Sequence, residues 1–361
     1  MTGPRAKKGI FDMPAYVGGR HSVEGVENPY KLSANENPLG ASAQVKAALQ
    51  QLGDVSIYPD GHATVLREAL ATQFGLDASR IVCGNGSGDI LHLLCEAYLE
   101  TGDEAIHTEH AFLLYALATR ATGATPIGVA EKNLTANVDD ILAAVSEKTK
   151  IVFLANPNNP TGTMIQEAEL MRLHAGLRDD IMLVIDGAYA EYVAPDSYPA
   201  DFDMVDKFNN VVVTRTFSKA YGLAALRLGW GYAPAEVADA LNRLRGPFNV
   251  NQPALLAGVA AIEDQAHIEA SRQHNAQWRA WMNQQLGGLG LPVYDSQANF
   301  VLMDFTTPET AQAAEAALCA QGVIPRGLAA YGLPSMLRLT IGTQAANRAA
   351  VAALEAFLNG Q

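Results

Sequence analysis

Short runs of Val, Ile and Leu alternate with amphipathic helical patterns between residue 64 and about residue 233. Apolar runs without a polar face predict strands that are buried on both sides, and the segments between them repeat their apolar residues at helical spacing. Strands that alternate with helices in this way predict an α/β fold with a mostly parallel sheet between two layers of helices. Seven strands are predicted, at residues 81–83, 104–107, 125–128, 151–155, 183–185, 211–214 and 228–232.

The pattern changes after about residue 250, where two helical segments lead through the glycine-rich stretch at residues 287–290 to a mixed series of strands and helices. This change predicts a second, smaller α+β domain. The first thirty residues are irregular and rich in Gly, Pro and Val. We therefore predict an amino-terminal arm at residues 1–30 that packs with the small domain, a large domain at residues 31–250 and a small carboxyl-terminal domain at residues 251–361.

A lone lysine, Lys219, follows the β-branched run at residues 211–214. Ligands of such sheets bind beyond the carboxyl ends of the strands. Burial and the nearby cation Arg227 would lower the pKa of the amine and free its lone pair to attack a carbonyl carbon. Thr216, Ser218 and Arg227 are suited to holding a phosphate monoester. An amine nucleophile beside a phosphate site favours pyridoxal 5′-phosphate, although a surface lysine with structural hydroxyls is an equal alternative for this segment alone.

Two other loops follow predicted strands. The sequence Gly84-Asn85-Gly86-Ser87-Gly88-Asp89 opens a helix, and its glycines let backbone N–H groups approach an anion, although a plain turn would have the same composition. The sequence Asn156-Pro157-Asn158-Asn159-Pro160-Thr161-Gly162 is restricted by two prolines. This restriction predicts that the Asn159 amide is held to bond a phenolic oxygen; the alternative is a connection stiffened by proline.

Asp186 ends the strand at residues 183–185, and Tyr189 follows it. A buried carboxylate needs a cationic partner, and the protonated nitrogen of a pyridine ring is one. Tyr189 is a second donor to the phenolic oxygen expected near Asn159. The alternative for Asp186 is a structural role, in a helix cap or in an ion pair with an arginine.

Three further residues are candidates by position. Phe112 follows the strand at residues 104–107 and can stack on a planar ring, with a place in the core as the alternative. Arg326 and Arg338 stand in short apolar segments, where an arginine usually faces an anion. A salt bridge to a core carboxylate is the alternative for both arginines.

Composition and charge narrow the possible partners. The net charge of −13 argues against nucleic acid and acidic membrane surfaces, so an anionic substrate must be captured by local arginines. Three cysteines without a CxxC pair indicate neither a zinc site nor a disulfide framework, and no metal is predicted. The basic start leads into no apolar stretch of a secretory signal, and the longest apolar runs are too short to span a membrane. We expect a cytoplasmic protein that acts on small molecules.

Several motifs together resemble those of the fold type I, aspartate-aminotransferase-like enzymes, and within them the histidinol-phosphate aminotransferases. The resemblance extends from Tyr16 to Gly342. The motifs that carry it are Leu32-Ser33-Ala34-Asn35-Glu36-Asn37-Pro38-Leu39-Gly40, Tyr58-Pro59-Asp60-Gly61, Asn158-Asn159-Pro160-Thr161-Gly162, Ser218-Lys219 with Arg227, and Tyr331-Gly332-Leu333-Pro334 before Leu337-Arg338.

The resemblance implies pyridoxal 5′-phosphate as the cofactor and assigns roles around it. Lys219, Asp186 and Tyr189 are the implied catalytic residues, with Lys219 bonded to the cofactor and Asp186 on the pyridine nitrogen. Asn159 and Tyr189 would bind the ring hydroxyl, and Phe112 would stack on the ring. The implied phosphate contacts are Ser87, Gly88, Asp89 (through the backbone), Thr216, Ser218, Arg227 and Tyr58 of a partner subunit. The family usually has Gly-Ser-Asp-Glu in place of residues 86–89, so we expect backbone donors there.

The same resemblance implies the substrate contacts and the reaction. Arg338 matches the arginine that binds a substrate carboxylate, Arg326 a second anion contact, and Tyr16 and Asn35 complete the substrate site. The implied enzyme is a homodimer with active sites shared across the interface. It would convert histidinol phosphate and 2-oxoglutarate reversibly to imidazole-acetol phosphate and glutamate, a step of histidine biosynthesis.

Three alternatives to that reaction differ in chemistry or in substrate. An aminotransferase for phenylalanine and tyrosine would use the same cofactor, and the segment Glu109-His110-Ala111-Phe112 departs from the Pro-Pro-Thr-Tyr or Phe of many relatives in that direction. A regulator without enzymatic activity is disfavoured by the intact Lys219, Asp186 and Asn159. A nucleotide-binding oxidoreductase is disfavoured because the chain has no GxGxxG motif.

Overall fold

The computed structural model describes residues 3, 4, 6, 10–12, 18, 20 and 22–360. Its strands are β1 (Tyr30–Lys31), β2 (Ile81–Gly84), β3 (Glu104–Thr108), β4 (Thr125–Val129), β5 (Thr149–Ala155), β6 (Met182–Asp186), β7 (Val211–Thr216), β8 (Gly229–Tyr232), β9 (Val293–Tyr294), β10 (Phe300–Asp304), β11 (Val323–Ile324), β12 (Arg326–Leu328) and β13 (Leu333–Thr340). Its α-helices are α1 (Ala43–Leu49), α2 (Thr64–Phe74), α3 (Ser87–Tyr98), α4 (Leu114–Thr122), α5 (Val138–Ala143), α6 (Glu167–Gly176), α7 (Asp201–Lys207), α8 (Ala235–Leu244), α9 (Gln252–Glu263), α10 (Gln265–Gly288), α11 (Pro308–Ala320) and α12 (Gln344–Asn359).

The largest sheet has seven strands in the order β2-β8-β7-β6-β5-β3-β4. Strand β8 is antiparallel to both of its neighbours, and the other pairs are parallel. This arrangement confirms the predicted α/β fold with a mostly parallel, seven-stranded sheet. The sheet is parallel because helices connect its strands, and those helices then cover both faces.

Strand β7, an interior strand of the sheet, contributes alternate residues to the two apolar clusters on the two faces of the sheet. Val211 and Val213 belong to one apolar cluster, whereas Val212 belongs to a second cluster on the opposite face. All three valines are buried, as the period of two along a strand between two helical layers requires. The strand therefore passes through the middle of the molecule and ends, with Thr216, at the edge of the sheet where the cavity lies.

The carboxyl-terminal part is built on a four-stranded antiparallel sheet in the order β12-β13-β10-β9. Helices α10, α11 and α12 pack on it around a separate apolar cluster that includes Met282, Leu318 and Leu354. Strand β1 pairs in parallel with β11 and ties the beginning of the chain to this part. The division at residues 30 and 250 stays a prediction, and Ala254 of α9 shares its core cluster with residues of α1 and α2.

Two features of the described residues concern partners. None of the helices that the structure describes is long and apolar enough to cross a membrane. Within the same residues, no group of three or more His, Cys, Asp or Glu side chains is arranged to hold a metal ion. Cys83, Cys95 and Cys319 are buried and free.

Candidate active site

A cavity of about 340 Å³ lies at the carboxyl ends of β5, β6 and β7, and strands β12 and β13 form its opposite wall. The structure therefore places this cavity where the carboxyl ends of parallel strands meet, as the sequence predicts. Thirteen of the residues predicted for the site line it: Asn35, Ser87, Gly88, Phe112, Asn159, Asp186, Tyr189, Thr216, Ser218, Lys219, Arg227, Arg326 and Arg338.

The amine of Lys219 lies just beyond the end of β7, and its Nζ donates a hydrogen bond of 2.9 Å to the backbone oxygen of Ala34. Burial lowers the pKa of Lys219 to about 7, and the positive charge of Arg338 adds to this effect. A smaller contribution in the same direction comes from Arg227, whereas Glu36 opposes it. Near neutral pH a large fraction of this amine is therefore uncharged, the state in which it acts as a nucleophile or a base.

Asp186 ends β6, and its carboxylate is 4% exposed. The Tyr115 hydroxyl donates to Oδ2 at 2.7 Å, and the Thr214 hydroxyl donates to Oδ1 at 3.1 Å. Burial raises the pKa of Asp186, and these two hydrogen bonds act against the increase. Arg215 on the neighbouring strand pairs instead with Asp201 at 2.8 Å. Asp186 is thus a buried acid that still faces the cavity, which suits a cationic ligand group.

Tyr189 lies beside Lys219, whose Nζ is 5.9 Å from the centre of the tyrosine ring. The Asn35 amide donates to the Tyr189 hydroxyl at 2.8 Å, and the ring packs edge-to-face on Phe300. Burial raises the pKa of Tyr189 to about 12, so the hydroxyl keeps its proton at neutral pH and can donate it in a hydrogen bond.

Asn159 is oriented by Arg338, which donates from Nη1 to the asparagine Oδ1. A guanidinium has no acceptor, so this contact identifies the oxygen of the amide and leaves its Nδ2 as a donor. The same arginine donates from Nη2 to the backbone oxygen of Ser33 at 2.9 Å, and its Cζ lies 5.1 Å from the centre of the Phe300 ring. Arg338 is therefore held in place on a cavity wall that it shares with Arg326.

The end of the cavity near α3 combines a guanidinium, hydroxyls and the first residues of a helix. Arg227 donates from Nη1 to the Ser218 hydroxyl at 3.1 Å, and Thr216 accepts from the Ser218 N–H at 3.1 Å. Gly86 precedes α3 with a φ of 91°, and a Cβ on it would collide with the guanidinium of Arg227. Only glycine fits this approach, which brings Ser87 at the amino terminus of the helix next to a cation.

Three predicted site residues do not line the cavity. The Asp89 N–H donates to the Gly86 oxygen within the first turn of α3, and its carboxylate accepts from the Asn85 N–H at 2.9 Å. Tyr58 is 77% exposed and stacks on Phe248, with ring centres 4.5 Å apart. Tyr16 lies outside the residues that the structure describes.

Residues that the sequence analysis did not assign to the site also line the cavity. They are Ser33, Ala34, Glu36, Leu114, Tyr115, Ala155, Pro157, Ala188, Ala224 and Tyr331. One of them had a usable signal that was not used: Tyr115 lies three positions after Phe112, a spacing that would place both side chains on one face of a helix. Ser33 and Ala34 contribute backbone oxygens, for which the residue type gives no signal.

The chain matches known families over almost its full length. The model of the family "Aminotransferase class I and II" matches residues 27–354. The histidinol-phosphate aminotransferase of Paramagnetospirillum magneticum is 50% identical over 361 residues, with 99% of each chain covered. The enzyme of the same name from Rhodopseudomonas palustris is 51% identical over 362 residues, again with 99% of each chain covered.

A solved structure has the same fold. The crystal structure of histidinol-phosphate aminotransferase from Sinorhizobium meliloti, in complex with pyridoxal-5′-phosphate, superimposes with a TM-score of 0.91 and 25% identity, and 99% of each chain is covered.

Proposed function

The chain belongs to the class I and II aminotransferase family, and we propose that it transfers an amino group between histidinol phosphate and 2-oxoglutarate with pyridoxal 5′-phosphate as its cofactor. The products are imidazole-acetol phosphate and glutamate. One observation carries the proposal: the amine of Lys219, with a pKa of about 7, shares a cavity with the buried Asp186 and with three arginines. Relatives that bear this enzyme's name are half identical over the full length.

The residues of the cavity fit the cofactor. Lys219 is the amine that would hold its aldehyde carbon, and Asp186 is a buried anion suited to its ring nitrogen. The approach of Gly86 to Arg227 leaves no room for a Cβ, so backbone and guanidinium donors converge where a phosphate would bind. Ser87, Gly88, Thr216 and Ser218 line the same region, and they are the residues that we propose to contact the phosphate.

When bound, pyridoxal phosphate supplies a ring that accepts electrons from the substrate carbon that loses a proton. The substrate amine would first take the place of Lys219 on the aldehyde carbon, and the freed Nζ would then move that proton, for which a pKa of about 7 is well matched to neutral pH. The hydrogen bond to Ala34 points the amine into the cavity. Because the amine of Lys219 is held in the cavity, no base has to be brought from solution, and the entropic cost of doing so is avoided.

Asp186 stabilises positive charge on the ring nitrogen, because a carboxylate at low dielectric strongly favours a cation next to it. Its two hydrogen bonds, from Tyr115 and Thr214, favour the ionised form. Tyr189 and the Nδ2 group of Asn159 are both donors to the ring oxygen in this proposal. Phe112 lines the cavity at the place where it would stack on the ring.

Arg326 and Arg338 receive the anionic end of the substrate. Histidinol phosphate carries a phosphate and no carboxylate, whereas glutamate and 2-oxoglutarate carry two carboxylates. A planar guanidinium with several donors binds both anions, so the same pair serves each half-reaction. Asn35 orients Tyr189 beside this end of the cavity.

We further propose that the active unit is a homodimer and that Tyr58 acts in the site of the partner subunit. Several large apolar side chains are exposed in the single chain, among them Phe248, which stacks on Tyr58, and Leu39, Val55, Ile57 and Val65. Exposed apolar side chains of this kind are typical of an interface. A position in the cytoplasm stays a prediction of the sequence.

Glutamate formation tests the proposed reaction. Purified protein loaded with pyridoxal phosphate is incubated with 2-oxoglutarate and either histidinol phosphate, phenylalanine or tyrosine. We expect kcat/KM for histidinol phosphate to exceed that for either amino acid by at least ~100-fold, since only this donor carries a phosphate that can bind between Arg326 and Arg338. A preference for phenylalanine would contradict the proposal and support the aromatic aminotransferase.

A further inference from the structure

The segment at residues 33–36 runs past the reacting amine and contributes one group after another to the site. The backbone oxygen of Ser33 accepts from Arg338 at 2.9 Å, and the backbone oxygen of Ala34 accepts from Lys219 at 2.9 Å. These two contacts fix the segment against the residue that performs the chemistry and against the arginine that binds the substrate anion. The next two residues, Asn35 and Glu36, line the same cavity as Lys219.

The next two residues complete the series. Asn35 has a φ of 56° and donates to the Tyr189 hydroxyl, so its role is to hold that tyrosine. Glu36 follows and also lines the cavity. Its side chain is 43% exposed, and its Oε1 accepts from Lys31 at 2.9 Å. The carboxylate thus lies at the mouth of the cavity, and the hydrogen bond from Lys31 to one of its two oxygens sets its orientation.

The other charges of the cavity are accounted for by the proposed reaction, but Glu36 is not. Arg227 serves the cofactor phosphate, the pair Arg326 and Arg338 serves the substrate anion, and Asp186 serves the ring nitrogen. A second carboxylate repels a phosphate or a carboxylate at close range, and it holds protons on the nearby Lys219 by raising the pKa of that amine. Lys31 offsets part of this cost through Oε1, and a donor on the substrate would offset more of it through Oε2.

We propose that Glu36 is a specificity-determining residue that accepts a hydrogen bond from the imidazole N–H of the substrate. This inference rests on the proposed function, because histidinol phosphate is the donor substrate that carries an imidazole. Lys31 holds Oε1, and Oε2 accepts from the ring. A phenyl ring has no donor and would cover Oε2 without bonding to it, so the residue selects the imidazole over an aromatic hydrocarbon of similar size.

The test compares two substrates that differ only in the ring, histidinol phosphate and phenylalaninol phosphate, which share the amine and the phosphate. Glutamate, the donor of the reverse half-reaction, is the third substrate and has no ring. Single-turnover rates of the holoenzyme are measured for all three with the wild type, Glu36→Met and Glu36→Gln. We expect Glu36→Met to lower the ratio of the single-turnover rate constant to Kd for histidinol phosphate by roughly 10- to 100-fold, which corresponds to the loss of one hydrogen bond to a charged group. For the other two substrates this ratio should change by less than ~3-fold. For histidinol phosphate, Glu36→Gln, which keeps an acceptor, should have a value between those of the wild type and Glu36→Met.

Lys31→Met is the matched control, because it removes the same ion pair and leaves the carboxylate. A selective loss in Glu36→Met that exceeds the loss in Lys31→Met supports the proposal. An equal loss for all three substrates, or an equally selective loss in Lys31→Met, overturns it. If the wild type turns over phenylalanine but not histidinol phosphate, the proposed function fails and this inference fails with it. If the wild type prefers histidinol phosphate and Glu36→Met keeps that preference, only the inference fails.

Discussion

Arg326 and Arg338 lie directly opposite each other across the antiparallel pair of strands β12 and β13. Opposed residues of such a pair project from the same face of the sheet, so both guanidinium groups reach the cavity from one wall. Like charges in opposed positions destabilise a sheet. An anion between them reverses that cost, which is the physical basis for assigning the substrate phosphate or carboxylate to this pair.

We expect Arg326→Lys and Arg338→Lys each to lower kcat/KM in both half-reactions, because lysine lacks the planar set of donors. The loss of transition-state stabilisation should be ~2–3 kcal/mol for each variant. The loss should be larger for Arg338→Lys, since this arginine also orients Asn159 and contacts the Ser33 oxygen. Rates with histidinol phosphate, phenylalanine and glutamate are compared. Arg243→Lys, at an arginine exposed on α8, is the control. A silent Arg326→Lys together with a wild-type preference for phenylalanine would support the aromatic aminotransferase.

Lys219→Ala should bind pyridoxal phosphate and lose transamination. The phosphate contacts remain in the variant, but the amine that bonds to the cofactor and moves the proton is absent. Borohydride treatment, followed by mass spectrometry of tryptic peptides, should attach the cofactor to the wild type at Lys219 and leave the variant unlabelled. The control is Lys150→Ala, at an exposed ion pair with Asp180. Labelling of the same peptide in Lys219→Ala would show that another residue holds the cofactor.

Gly86→Ala should weaken pyridoxal phosphate binding by at least ~10-fold. The added Cβ would push the guanidinium of Arg227 out of position and would place an L-residue at a φ of 91°. Gly75→Ala is the control that separates the backbone effect from the collision with Arg227, since Gly75 has a φ of 69° and open space around its Cβ position. Gly75→Ala should lose about 1 kcal/mol of stability from its left-handed conformation, and Gly86→Ala should lose more, because a φ of 91° with a ψ of 162° is open essentially only to glycine. Cofactor affinity, measured by fluorescence titration, should fall only in Gly86→Ala; equal affinities in the two variants would contradict the assignment.

Tyr58→Ala and Lys219→Ala should each impair the enzyme, and mixed dimers of the two should recover part of the activity. If Tyr58 acts in the site of the partner subunit, one of the two sites in a mixed dimer contains both native residues. The variants are refolded together and the hybrids are purified by two different tags. Absence of recovery in proven hybrids would mean that each site is built within one chain.

Glu191 should make stability depend on pH. Its Oε1 lies 4.0 Å from the Nε of Arg215, and burial raises the pKa of Glu191 to about 7, whereas an unfolded chain ionises it near its ordinary value of 4.5. Between these values the folded state holds a proton that the unfolded state has lost. Stability from this group is therefore complete below about pH 4.5 and is lost as the pH rises to 7.

Glu191→Gln removes that titration. The free energy of unfolding of the variant minus that of the wild type should increase by about 2–3 kcal/mol between pH 5 and pH 8, because the wild type loses stability over this range. Urea unfolding at a series of pH values, with equal cofactor loading, measures the difference. Glu355→Gln, at an exposed position of α12, is the control substitution. A difference that does not change with pH would mean that Glu191 is ionised in the folded protein throughout this range.

The sequence by itself determined the large sheet and most of the site. A buried parallel strand needs a continuous apolar run, and the loop after it carries the ligand contacts, so Lys219, Asp186 and Asn159 were identifiable from their positions after such runs. These signals are local, because a strand and the loop that follows it occupy about ten consecutive residues. Helix α8 was missed although Val237, Ala238 and Leu241 repeat at helical spacing; strands β9, β11 and β12, of two or three residues, are too short to show a period.

Only the tertiary structure decided which distant groups meet. Ala34 and Lys219 are 185 positions apart, and the contact uses a backbone oxygen that every residue type possesses. Tyr115 reaches Asp186 because α4 packs on the sheet, and Arg326 reaches the face of Arg338 because β12 and β13 pair in one register. Contacts of this kind depend on packing between elements and on strand register, which are properties of the whole fold, and the pattern of a single segment does not contain them.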